Sequence, residues 1–402
     1  MVAMIESFME NYKKIKISLS IILLKRILFF FLILIQVVIG SSMVRSNERV
    51  SIFYFDVYLR FFGLFIICLL LFISDFTKRE LLVYFFICIL LQVISLRTRF
   101  MNQAIYLLAT SMVVKNEKED WILKAFMKSV LISVLIVFLL YIFEIIPPRM
   151  TERWDGTIRN SLGFWHPNTT GALFLSLLLS FVANKNNRIK LLTLFVWGTS
   201  FLIINYFTDS STSIILVSLI ILYVLFLSFT SNFENILILI TLKIFNYLVP
   251  FLLIFSYLIS YFYNPENFLL RSLNHFVTSR IVFGQVFVRE YPLSLFGRNL
   301  VFSSPNTIGA NIAETGHRVL DNGYLHTLLS HGIIYTVLIL FAFILIINKL
   351  YRRGFKYMPL AGIIIALYGF TEMNFLILPF NFVLLLGGRV LKIYLEDFGL
   401  DE

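Results

Sequence analysis

From residue 19 onward the chain consists of long apolar runs broken by short polar segments. Twelve runs approach the roughly twenty residues that cross a hydrocarbon core. They cover about 19–41, 57–74, 80–96, 98–114, 121–146, 169–184, 190–207, 212–229, 235–262, 325–348, 358–374 and 376–394. Runs of this length predict helices rather than barrel strands, so the expected fold is an all-α polytopic membrane protein with about twelve transmembrane helices in a single integral-membrane domain, 1–402. Two segments depart from the pattern. The first, 147–170, carries a His166-Pro167-Asn168 turn, and Asn168, Thr169 and Thr170 are expected to cap the following span with free backbone N–H groups where an anion can sit. The second, 263–325, reads as one large external loop containing short helices. Its Leu273, Phe276, Val277, Ile281, Phe283, Phe287 and Val288 predict a helix across Leu273 to Tyr291 lying against the membrane surface or the other spans. The stretch from Ser303 to Gly309 reads as flexible coil able to gate a site.

Composition agrees, since a mean hydropathy of +0.87 with 14% charged residues leaves too little polar surface for a soluble domain of this length. The net charge of +11 does not point to nucleic acid, because the basic residues flank spans instead of forming a soluble patch. Their distribution sets orientation: Lys13, Lys14, Lys78, Lys115, Lys185, Lys349, Lys356 and Lys392 fall on one side, which places both termini in the cytoplasm. The opposite side carries arginine alone, at Arg45, Arg49, Arg97, Arg99, Arg149, Arg153, Arg159, Arg271, Arg280, Arg289, Arg298 and Arg318, together with all five histidines. Outer arginines run against the topological rule, and their planar forks suit bidentate binding of phosphate or carboxylate. Pairing with Glu152, Asp155, Glu266, Glu290 or Glu314, or with lipid headgroups, competes with that role for any single arginine. Arg60, Glu144 and Glu372, near span ends, fit buried structural pairs equally well and are left outside the expected site.

Cys68 and Cys88 lie inside predicted spans and read as packing residues. The chain has no phosphate-binding glycine loop, no HExxH and no GxSxG, and the five-residue spacing of His326 and His331 does not put both on one helical face for a shared metal. No cofactor or metal is expected. A bond-forming reaction on a face without a nucleotide supply must draw on energy stored in its substrate, as a polyprenyl pyrophosphate-linked sugar stores it.

At Arg159 to Gly171, Thr278-Ser279-Arg280, Phe296-Gly297-Arg298 and Asp321-Asn322-Gly323-Tyr324 the chain resembles the bacterial O-antigen, capsular and exopolysaccharide polymerases, which are related to the O-antigen ligases. The resemblance implies an inverting, metal-independent glycosyltransferase of polysaccharide biosynthesis at the outer face of the bacterial cytoplasmic membrane. A glycan on polyprenyl (undecaprenyl) pyrophosphate is moved onto a lipid-linked repeat unit. A flippase and a chain-length regulator are the further partners it implies. Arg159 and Arg280, with Arg298, would then hold pyrophosphate, and Asp321 would take the acceptor proton. His166, Asn168, Asn322, Tyr324 and His326 would line the substrate. The ligases carry histidine where this chain has Asp321, which leaves the base open: Asp321 also suits a helix cap, and His326 and His331 are alternative bases. A ligase, a flippase or other transporter, and a non-enzymatic scaffold are the competing readings.

Overall fold

Most of the apolar runs fold as helices, because a chain with few polar side chains must close its own backbone hydrogen bonds. The computed structural model describes residues 19–46, 52–74, 76–98, 102–152, 156–184, 191–230, 233–302 and 319–397. The expected gating coil from Ser303 to Gly309 lies outside the described residues, as do Arg49, Arg99, Arg153, His317 and Arg318. The helices are α1 (Leu19–Ile39), α2 (Ile52–Ile73), α3 (Lys78–Ser95), α4 (Asn102–Val113), α5 (Glu119–Ile142), α6 (Pro167–Ala183), α7 (Leu191–Thr208), α8 (Ser211–Phe229), α9 (Glu234–Tyr261), α10 (Phe268–Phe276), α11 (Arg280–Glu290), α12 (Gly323–Arg352), α13 (Met358–Thr371) and α14 (Gly387–Asp397). A two-stranded antiparallel ribbon, β1 (Met150–Glu152) and β2 (Ile158–Asn160), is the one sheet among the described residues.

The protein is all-α apart from that ribbon. Five helices, α1, α5, α8, α9 and α12, are long and apolar enough to cross a membrane, and five shorter apolar helices accompany them among the described residues. Phe72, Tyr206 and Phe229 are 89%, 83% and 85% exposed, so the outer helix faces are apolar in a way that suits lipid rather than water. The expected span at 376–394 is not one helix. Pro379 offers no backbone donor, and the run instead forms 3₁₀ turns at Met373–Leu376 and Phe382–Leu386 before α14. Phe382 to Leu386 are all buried in the protein core, a setting that an apolar run does not distinguish from lipid.

Ion pairs mark one end of the helical body. Lys115 binds Glu80 at 2.8 Å with both side chains buried, Arg353 binds Glu119 at 2.8 Å, and Lys356 and Glu234 approach within 3.6 Å. Lys392 donates to Asn116 and Lys349 pairs with Asp397, so the ends of α12 and α14 meet the α4–α5 connection here. The opposite end receives the starts of α6 and α12 and the end of α13.

The helix expected across Leu273 to Tyr291 is two helices. Thr278 and Ser279 take left-handed φ values of 51° and 65°, which breaks the run and starts α11 at Arg280. No residue of α10 is buried, and Phe268, Leu269 and Phe276 are exposed, whereas α11 buries Ile281, Gly284, Phe287 and Val288 beside α9. Past α11 the chain docks into a break in α12. Gly332 (φ 88°, ψ 169°) interrupts the helix, and the freed groups find partners in the loop: Ile333 N donates to Ser294 O (3.0 Å), Ile334 N to Leu295 O (3.2 Å), and Arg298 N to Ser330 O (3.0 Å). A broken apolar helix persists only where such partners exist.

Candidate functional site

The opposite end of the body carries Arg159 and Arg280. On β2, Arg159 pairs in register with Thr151 and is 9% exposed. Its Nη1 donates to Asn168 Oδ1 at 3.4 Å. Asn168 does not cap α6, contrary to expectation. His166 is the N-cap, its Nδ1 accepting from Asn168 N at 3.1 Å, and Pro167 fills the first helical position, where a missing donor costs nothing. Thr170 likewise turns away, its hydroxyl donating to Ser161 O at 2.7 Å. The Asn168 side chain is therefore available to bridge: its Nδ2 donates to Glu372 Oε1 at 2.8 Å.

Glu372, set aside on sequence, stands at the centre. Its Oε1 also receives Arg280 Nη2 at 3.2 Å, while no hydrogen bond reaches Oε2 among the described residues. Arg280 is anchored by its Nε donating to Thr371 O at 2.6 Å and its Nη1 to Val277 O at 3.3 Å, and it also bonds the Thr278 hydroxyl. The left-handed turn at Thr278 and Ser279 thus serves to aim Arg280 at the end of α13. One chain of contacts, Arg159–Asn168–Glu372–Arg280, ties together four segments remote in sequence. Glu372 lies just past α13, and burial first, then the charge of Asp321, push its carboxyl up from 4.5 to about 7 against the opposing pull of Arg280, Asn168 and Arg159.

Asp321 joins this group through its charge, and it does not cap α12. Asn322 does so, its Oδ1 accepting from Leu325 N at 3.0 Å while its Nδ2 donates to Ser256 on α9 at 3.0 Å. Tyr324 is wholly buried, and its hydroxyl donates to Ala366 O on α13 at 3.0 Å. Asn322 and Tyr324 therefore join α9, α12 and α13 behind the arginines. Arg298, held by the docked loop, makes no hydrogen bond or ion pair with the cluster among the described residues.

Beside the cluster lies a cavity of about 260 Å³ with a mixed lining, whose polar part comes from residues such as Gln36, Gln103, Thr169, His331 and Asn374, with Trp165 beside them. His326 lines it too. The five-residue spacing predicted separate faces for the two histidines, yet both border this cavity with rings 5.8 Å apart, just before α12 breaks at Gly332. An apolar groove of about 300 Å³ between α3, α4, α12 and α14 meets the cavity, the two sharing Ala104 and Tyr335.

Of the expected site residues, Arg159, Asn168, Arg280 and Asp321 belong to one group, with His166 directly beneath it. Glu372, Gln36 and Gln103 were missed. For the glutamines the available signal was a lone uncharged polar residue within an apolar run. No protein-family model, curated protein or solved structure matches the chain.

Proposed function

We propose that the chain is a polysaccharide polymerase of the bacterial cytoplasmic membrane. It crosses the membrane about twelve times with both termini in the cytoplasm, the last crossing made by the 3₁₀ turns and α14. The reaction is inverting transfer of a glycan from polyprenyl pyrophosphate to a hydroxyl of a lipid-linked repeat unit. The observation that carries this reading is the Arg159–Asn168–Glu372–Arg280 chain, which puts two arginines and a carboxyl with an open oxygen in one partly buried group. The apolar groove, which shares the wall at Ala104 and Tyr335 with the cavity, supports a substrate with a lipid tail and a polar head.

In this scheme the acceptor hydroxyl gives its proton to Glu372 Oε2 as its oxygen bonds to the anomeric carbon. The bond from that carbon to the pyrophosphate oxygen breaks, and the electron pair leaves with the pyrophosphate. Arg159 and Arg280, rather than a metal, meet the developing charge, and such preorganised donors act most strongly where water is excluded. Glu372 replaces Asp321 as the base, because a carboxyl near 7 both accepts and releases protons at neutral pH. Asp321 raises that value by its charge. The test is purified protein with lipid pyrophosphate-linked repeat units and no nucleotide. A ladder of lengthened glycans that disappears in Arg280→Ala supports the scheme. Repeat units that cross a reconstituted bilayer without lengthening make the protein a flippase.

A further inference from the structure

The cavity beside the cluster has a defined hydrogen-bonding character. Gln36 lies in the π-helical last turn of α1, a local widening of the kind often found at functional sites. It is 2% exposed, its Nε2 donates to Gln103 Oε1 on α4 at 2.8 Å, and its own Oε1 has no hydrogen-bond partner among the described residues. A buried acceptor left without a donor is costly, so the cavity calls for a ligand that brings hydrogen to it. Phosphate, which offers mainly acceptors, does not meet that need. A sugar hydroxyl does.

The remaining lining agrees. Trp165 is held beside the end of α1 by its backbone N–H donating to Ser41 O at 3.0 Å; the Arg149 guanidinium covers one face of its indole, 4.2 Å from the ring centroid, which leaves one flat face for a pyranose ring. Asn374 adds amide groups, and no arginine, lysine or carboxylate lines the cavity among the described residues. An acidic sugar there would find no cation in the lining itself, Arg149 being engaged on the Trp165 ring. Thr169 and Met373, which also line the cavity, are the chain neighbours of Asn168 and Glu372, so the cavity adjoins the Arg159–Asn168–Glu372–Arg280 chain.

We infer that this cavity is the acceptor subsite and that it takes a terminal uncharged sugar, a neutral hexose or N-acetylhexosamine rather than a uronic acid. The inference rests on the glycosyl-transfer reading for its role and on the cavity itself for its ligand. Gln36 Oε1 accepts a ring hydroxyl, Gln103 holds Gln36 in place, and Trp165 packs against the ring.

The experiment uses the full-length protein in detergent with saturating lipid-linked donor. Its acceptors are two water-soluble repeat-unit analogues, one ending in an uncharged sugar and one in a uronic acid. The uncharged acceptor is expected to be preferred by about a hundredfold or more. Gln36→Leu should raise its KM about tenfold with kcat little changed, the signature of a lost binding contact. Asn374→Ala, on a different element, provides the same readout should Gln36→Leu not fold. Equal use of both acceptors, or an unchanged KM in both variants, overturns the inference while leaving the polymerase reading intact. Thermal unfolding separates the two ideas further. Uncharged disaccharides that raise the unfolding temperature of the wild type and not of Gln36→Leu uphold the cavity even where no glycan is lengthened, whereas no shift with any saccharide and no KM effect overturns it.

Discussion

Replacing Gly332 by alanine tests how the loop and the broken helix hold the site together. Backbone at φ 88° and ψ 169° is nearly exclusive to glycine, and another residue there costs about 1–3 kcal/mol. The added Cβ would also stand 2.3 Å from Gly297 N and 2.5 Å from Leu295 O. Neither atom can retreat without giving up the three bonds from Arg298, Ile333 and Ile334, together worth about 3 kcal/mol. The sum, about 4–6 kcal/mol, is comparable with the net stability of a whole domain. Release of residues 294–298 from α12 is therefore the expected response. Hydrogen exchange read by mass spectrometry should show lost protection over 294–298 and 330–334, with α5 and α9 unchanged, and glycan lengthening should fall about tenfold or more as Arg298 and His331 shift. Gly297→Ala, whose Cβ would lie 2.1 Å from Ser330 O, should give the same pattern. Wild-type protection together with wild-type activity in Gly332→Ala would refute the reasoning.

Two further outcomes concern the chemistry. Arg280→Lys keeps the charge and loses the fork that spans Thr371 O, Val277 O and Glu372, so lengthening should drop about a hundredfold, with Arg159→Ala at least as severe; normal polymer length in both variants removes the pyrophosphate clamp. Because burial raises Glu372 to about 7, its reactive carboxylate forms as pH rises, and activity should climb through that value. The same shift makes its contribution to stability full below the ordinary value of 4.5 and lost as pH rises towards 7. Asp321→Asn should move the activity rise to lower pH and keep turnover, while Glu372→Gln should lose turnover. The reverse result returns the base to Asp321.

The helical class was legible because apolar run length alone carries it, and Arg159 and Arg280 stood out as arginines on the side without lysine. Glu372 did not. Its partner Asn168 is 204 residues away, and no local pattern encodes that meeting. The hinge at Thr278 and Ser279 escaped notice because neither glycine nor proline marks it and the apolar spacing continues through it. His166 was passed over as a cap because Asn168 and Thr169 are better cap formers, yet Pro167 fixes the helix start two residues earlier than an Asn168 cap requires. At 376–394 one continuous helix was expected, but Pro379 breaks the run and Phe382 to Leu386 pack against protein as a 3₁₀ turn.

The bond between Asn168 and Glu372 also sets an order of events during synthesis. A ribosome that has delivered everything up to Thr371 has produced both arginines and the bridging amide, but not the carboxylate that joins them. Glu372 itself therefore decides whether that end of the body is joined or holds two arginines apart. A nonsense change between the codons for Arg280 and Glu372 should accordingly behave as a complete loss of function, and nascent chains should carry no activity before Glu372 has been added.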